Sequence, residues 1–327
     1  MKDFDANLKK QFKELKALNP DEPKHLEHLY ADFVELVTLF AAAGSFVSTA
    51  DILDRLKDEG AIVTDDDMED ADQAEENDKQ EAWVDEIFRV LEQRSNTYGN
   101  DYPFDLSHRR ITLADKLTFK NKLYLFLLAS ANLKIFKAVK SSLTSDFEAV
   151  SFYALSNYLS DRAIVKQFGK QSDYIGTARE KITKLAEDLK VELNQMELDN
   201  VSEQNKMERG LDVIGWLPFE DGCPNMITIL GQCACGRDWH LKYHDTKRFE
   251  NYLSFYKKNP IHAMFIPYAL VGKQQGRTFY RSDDIEKDTM LFERKRITEL
   301  FSEEEFFNTL ESKSVVDQCL LFTEDIV

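Results

Sequence analysis

Residues 210–242, GLDVIGWLPFEDGCPNMITILGQCACGRDWHLK, decide how this chain is read. Two apolar runs, 211–217 and 226–234, flank Glu220-Asp221-Gly222-Cys223-Pro224-Asn225, a cluster of turn formers that predicts a β-hairpin. Asp212 stands at the head of the first run and Gln232 near the end of the second. A hairpin folded about Gly222 sets the two opposite each other, with Cβ atoms roughly 4.5–5.5 Å apart. At that spacing both side chains can share one metal ion. The next segment, 238–258, predicts a helix with Lys242 on its first turns. Lys247, Arg248, Lys257 and Lys258 fall on roughly one side of that helix, where they would follow a phosphate backbone. A solvated face explains them equally well.

Outward from this stretch, 43% apolar and 12% aromatic residues in a chain of 327 suffice for the cores of two domains. Twelve glycines and seven prolines favour long helices over many short strands. The net charge of −17 argues against a protein that coats nucleic acid non-specifically. The excess acid is concentrated at 65–81, with ten acidic residues and one Lys, and at 299–327, with eight against Lys313. Residues 237–296 run the other way, with thirteen Lys/Arg and eight Asp/Glu, so an anion-binding surface is expected there. No apolar run is long enough to cross a bilayer, and the charged, amphipathic start is unlike a signal peptide, so a soluble cytoplasmic protein with reduced cysteines is expected.

Helices are expected at 7–18 and 25–43, and from a cap at Ser48-Thr49-Ala50-Asp51 through Leu56. The last two resemble a helix-turn-helix in outline, a form that plain packing units share. The acidic run 65–81 reads as a solvated loop or a partner-docking segment. Helical pattern returns at 81–93, a polar connection spans 98–111, and 121–139 is a buried helix. Ser145-Asp146 is positioned to cap a helix at 147–159, with Glu148 near its start, where an acid needs no function to explain it. A helix at 176–194, the hairpin, the helix at 238–258 and a strand at 262–271 complete the pattern. This order predicts an α+β fold: a helical domain at 1–142, a mixed α/β core at 143–300 and an acidic segment at 301–327.

An early helix with a Glu, a hairpin carrying Asp and then Gln, and a following Lys resemble the PD-(D/E)xK nuclease superfamily. The wording is similar to its bacterial restriction and anti-phage defence members, in Gly210-Leu211-Asp212-Val213-Ile214-Gly215-Trp216 and in Gly231-Gln232-Cys233-Ala234 through Trp239 and Lys242. Phe147-Glu148 resembles the family's helix Glu, and Phe265-Ile266-Pro267 and residues 292–297 its later strand and basic segment.

The resemblance implies a restriction-endonuclease-like core that hydrolyses phosphodiesters of DNA with Mg²⁺ or Mn²⁺. Asp212, the Gln232 amide oxygen, the Cys233 carbonyl and Glu148 would hold the ion, Lys242 would act on the water or the phosphate, and Arg294 and Arg296 would join the basic surface. It further implies an effector brought to DNA by self-assembly or by a partner subunit such as an ATPase or helicase. Ala234 occupies the position where the usual motif has Lys, and Gln is a neutral ligand. A scaffold or regulatory subunit with this fold and no turnover is therefore the alternative. Cys223, Cys233, Cys235, His240 and His244 invite a zinc site, but Cys-x-Cys lacks the two-to-four-residue spacing of a knuckle. Trp216 and Trp239 are expected in the core.

Overall fold

The computed structural model describes residues 2–14, 27–58, 70–202, 210–256, 259–274, 277–279, 285 and 288–323. Contact density divides the chain into two compact units, each assembled from separate segments. The first comprises Met1–Lys140, Tyr268–Ser282 and Glu311–Val327, the second Ser141–Pro267 and Asp283–Leu310. The contiguous segments expected at 1–142, 143–300 and 301–327 are thus interleaved, because 268–282 and 311–327 return to the first unit.

The first unit opens with α1 (Lys2–Glu14), α2 (Glu27–Phe40), β1 (Phe46–Ser48) and α3 (Thr49–Asp58). The expected cap at Ser48 is present: its hydroxyl accepts from the Asp51 N–H at 3.3 Å while its own N–H donates to Asp51 Oδ2 at 2.7 Å. Next come α4 (Asp70–Tyr98), β2 (Phe104–Ser107), β3 (Arg110–Leu113) and α5 (Phe119–Ala131). Residues 70–81 are therefore helical rather than a loop, while 65–69 lie outside the described residues. Acidic residues near a helix N-terminus are favoured by its dipole, Glu75 pairs with Lys79 one turn on, and Val84, Ile87, Phe88 and Leu91 anchor the rest of α4 in the core. The connection at 98–111 also holds more order than expected. β2 and β3 form a hairpin, with β1 completing an antiparallel sheet of order β1-β3-β2. Its two-residue turn, His108-Arg109, has φ of 49° and 61° without glycine or asparagine.

Charge is buried within this unit. Arg94 donates from Nη1 to Glu35 Oε1 at 2.7 Å, lies 2.8 Å from Asp32 Oδ1, and donates from Nη2 to the His28 carbonyl at 2.7 Å. Tyr102 and Tyr124 donate to the same Glu35 oxygen at 2.7 and 2.8 Å. Burial opposes the guanidinium charge, but Glu35, Tyr124 and Asp32 outweigh it.

The second unit begins with α6 (Lys140–Tyr158), β4 (Ile164–Gln167) and α7 (Ala178–Leu189), then β5 (Glu192–Leu193), α8 (Gln195–Asp199), β6 (Val213–Leu217) and β7 (Ile227–Cys233). α9 (Phe249–Tyr252), β8 (Leu253–Ser254) and β9 (Ile261–Phe265) follow. The chain gives the antiparallel pair β10 (Val271–Gln274) and β11 (Arg277–Phe279) to the first unit, then returns for β12 (Thr289–Phe292), α10 (Arg294–Leu300) and α11 (Glu304–Phe307). It ends in the first unit with α12 (Glu311–Leu321).

The fold is α+β, and the second unit is built on a small mixed sheet of order β12-β9-β7-β6-β4. β4, β6 and β7 are antiparallel, whereas β7, β9 and β12 run parallel. One face carries a core of Phe168, Ile182, Leu185, Leu189, Ile214, Trp216 and Leu230. On the other face α6 approaches so closely that a Cβ on Gly215 would lie 2.8 Å from Leu159. Trp216 and Trp239 are core residues.

The helix expected at 238–258 breaks into 3-10 turns at Trp239–Lys242 and Thr246–Arg248, then α9, then β8. Pairing of β8 with β5 pulls the chain out of helical conformation at Leu253. Lys247 and Arg248 therefore lie on a 3-10 turn rather than on a long helix, while Lys257 and Lys258 lie outside the described residues. Among the described residues, no helix is long and apolar enough to cross a membrane.

Candidate active site

β6 and β7 pair with Val213 opposite Gly231 and Leu217 opposite Ile227, the register that sets Asp212 across from Gln232. Asp212 immediately precedes β6. Its N–H donates to the Gly231 carbonyl at 2.9 Å, and its carbonyl accepts from the Phe168 and Gly169 N–H groups at 2.7 and 3.1 Å. Its Oδ2 accepts from the Cys233 N–H at 2.7 Å. The backbone of Asp212 is therefore fixed on both sides, and its carboxylate is oriented by one N–H, at the end of the antiparallel half of the sheet.

Glu148 comes from α6. The helix begins at Lys140 rather than at the expected cap, so Asp146 is a buried interior residue and Glu148 sits well past the first turn. A dipole-stabilised acid at a helix start no longer accounts for it. Glu148 Oε2 accepts from the Lys170 N–H at 3.0 Å. A Cβ built on Gly169 would lie 2.5 Å from Glu148 Oε2 and 3.1 Å from Asp212 Oδ1. Two carboxylate oxygens thus crowd one spot that only glycine leaves open.

The thiols register this negative field. Burial, then Asp212 and Glu148, hold the Cys233 thiol well above its usual range, against a lowering hydrogen bond from Ser151. Burial and Glu148 raise the Cys235 thiol as well, with Lys242, Asp212 and Lys170 also acting on it, the two lysines pulling downward. Glu148, Asp212, Cys233, Cys235, Lys170 and Lys242 therefore form one electrostatic neighbourhood. Lys242 ends a 3-10 turn, so the field expected from a helix N-terminus is missing. The ammonium groups of Lys170 and Lys242 are exposed, and neither has an ion-pair partner among the described residues.

The two ends of the Gln232 side chain differ. Its Nε2 donates to Asp245 Oδ2 at 3.0 Å, and its buried Oε1 has no hydrogen-bond partner among the described residues. Nearby, His262 from β9 bridges Thr246 Oγ1 at 3.0 Å and Glu250 Oε1 at 2.7 Å. Gln232 and His262 together pin the segment that follows Lys242 to the sheet.

The expected nucleic-acid contacts are mostly committed to the fold. Arg294 is fully buried and donates to the Pro267 carbonyl at 2.8 Å; Arg296 donates to the Leu291 carbonyl. Arg294 is therefore withdrawn from solvent, whereas Arg296 stays exposed while tied to the Leu291 carbonyl. Lys247 pairs with Asp288 at 3.1 Å and Arg248 with Asp245 at 3.3 Å, while Lys257 and Lys258 lie outside the described residues. Cys223 is exposed, and Cys235 and Cys319 are buried. Among the described residues, His, Cys, Asp and Glu side chains do not gather in threes or more at metal-binding geometry. Gly169 and Lys170 were not anticipated from sequence; a glycine directly after a short apolar strand was the available sign of close backbone approach.

No protein-family model matches the chain, and comparisons with curated proteins and with solved structures find no counterpart.

Proposed function

We propose that this protein is a divalent-metal-dependent nuclease of the PD-(D/E)xK type, acting on the phosphodiester backbone of DNA. The observation that carries the reading is the convergence of Glu148 Oε2 and Asp212 Oδ1 on the space beside Gly169. The mixed sheet, with an acid-bearing helix on one face and Asp212 at its antiparallel end, is the framework that the resemblance implies.

The donor set suits a hard cation: two carboxylates whose oxygens converge beside Gly169. Mg²⁺ or Mn²⁺ held by Asp212 and Glu148 would supply activated water and offset charge on the phosphorus. The protein's own part is positional. The Cys233 N–H orients Asp212, the Lys170 N–H orients Glu148, and Lys242 brings an ammonium to the phosphate. A net charge of −17 favours delivery to DNA by self-assembly or by a partner such as an ATPase or helicase, as for an effector in a cytoplasmic restriction or anti-phage system.

One observation favours a second reading, a nuclease-fold scaffold or regulatory subunit without turnover. Gln232 is bound to Asp245, and Ala234 stands in the usual lysine position, so the site holds two acids where a stronger one has three. Nicking of supercoiled plasmid in Mg²⁺ or Mn²⁺ separates the two. Cleavage by the wild type that Asp212→Ala and Glu148→Ala each reduce at least a hundredfold supports the enzyme. Equal, negligible cleavage by all three, with DNA-processing partners added, supports the scaffold.

A further inference from the structure

We infer that Lys170 is a second phosphate-contacting residue of this site, standing on the loop after β4 and serving with Lys242 in place of the lysine that the strand lacks at Ala234. The inference rests on the nuclease reading and adds a residue that the motif does not contain.

Lys170 is held in place by its surroundings. Three successive N–H groups anchor its loop, those of Phe168 and Gly169 on the Asp212 carbonyl and that of Lys170 on Glu148 Oε2. Side chains add two more ties: Lys170 Nζ donates to Thr144 Oγ1 at 3.0 Å, and Gln171 Nε2 donates to Ser145 Oγ at 3.0 Å. Thr144, Ser145 and Glu148 all belong to α6. The main chain of Lys170 thus touches Glu148, and its exposed ammonium is held at Thr144, one helical turn before Glu148 on α6.

Its partners match the assignment. Thr144 is a neutral acceptor, so this hydrogen bond positions the charge without cancelling it. Of the other basic residues expected to meet nucleic acid, Lys247 is paired with Asp288, Arg248 is paired with Asp245, and Arg294 lies within the core. Among the described residues, Lys170 and Lys242 stay exposed, as does Arg296. Lys170 stands on the loop after β4 and Lys242 on the 3-10 turn after β7. The two lysines carry two positive charges, and Glu148 and Asp212 carry two negative ones. A divalent cation taken up by those acids would leave the lysines' charge to an anionic oxygen, the distribution a phosphodiester requires.

The test uses the full chain and a fluorescein-labelled DNA duplex, with binding followed by anisotropy across a salt series in Ca²⁺ and plasmid nicking followed in Mg²⁺. Lys170→Gln is expected to weaken binding about tenfold and to reduce the slope of log affinity against log salt by about 0.9, the loss of one phosphate contact. Lys170→Arg should retain most of both. Thr144→Val, which removes the hydrogen bond but keeps the charge, should change the salt slope little. Lys170→Gln that binds with wild-type affinity and slope, in a protein whose nicking depends on Asp212, overturns the assignment and leaves the nuclease reading standing. A weakened Lys170→Gln duplex complex without Asp212-dependent nicking sustains the phosphate contact and overturns turnover. Absence of duplex binding by the wild type overturns both.

Discussion

Gly169 is where residue-level geometry is least forgiving. A methyl group there meets the ends of two movable carboxylates rather than main chain, so the fold has room to adjust while the site does not. Gly169→Ala should therefore shift the melting temperature by only about 2 °C, a fraction of 1 kcal/mol, yet cut Asp212-dependent nicking more than tenfold. Gln232 gives a prediction of opposite sense. Its Nε2 faces the Asp245 carboxylate inside the protein, so Gln232→Glu brings two acids together and should destabilise by about 2–3 kcal/mol in chemical denaturation. Were the side chain instead a metal ligand, the added charge would strengthen metal binding and nicking, as in the commoner form of the motif.

At the scale of elements, the capping box of α7 is a clean test of local energetics. Thr177 accepts from the Glu180 N–H while the Glu180 carboxylate accepts from the Thr177 N–H, so Thr177→Ala should cost about 1 kcal/mol in urea unfolding. Hydrogen bonds from the Thr177 backbone and side chain lower the pKa of Glu180 below its usual 4.5. Because the folded value lies below the unfolded one, this support is present above pH 4.5 and is lost as the pH falls through the folded value. The substitution should flatten that acid limb.

Elements also show what could be read from the chain. The β6–β7 register was legible because the turn cluster at 220–225 leaves one way to pair two apolar strands. The helix at 238–258 was not, since the pairing of Leu253 with Leu193 is made across some sixty residues of sequence and overrides local preference. The β2–β3 hairpin escaped notice because His108 and Arg109 are not the residues that such a turn selects. Of the site, Asp212 and Glu148 were visible as acids in apolar surroundings. Gly169 and Lys170 belong to it only through contacts distant in sequence, and charge alone gave no hint that Arg294 is buried.

For the whole molecule, the two units place their polar residues differently. The first encloses Arg94 with Asp32 and Glu35, a design that tolerates loss of either sign poorly. Arg94→Met strands two buried carboxylates and should destabilise that unit by about 3–5 kcal/mol, seen as faster hydrogen exchange throughout α2, α4 and α5. The second unit also buries a charge, at Arg294, but keeps Lys170 and Lys242 exposed. There the loop carrying residue 170 is held by three peptide N–H groups, to which the Lys170 side chain adds a single hydrogen bond. Position 170 thus behaves as a socket. Exchanging its occupant for glutamate, serine or arginine would re-tune what the pocket welcomes while the surrounding scaffold stays put, an opening that both natural drift and protein engineering can use.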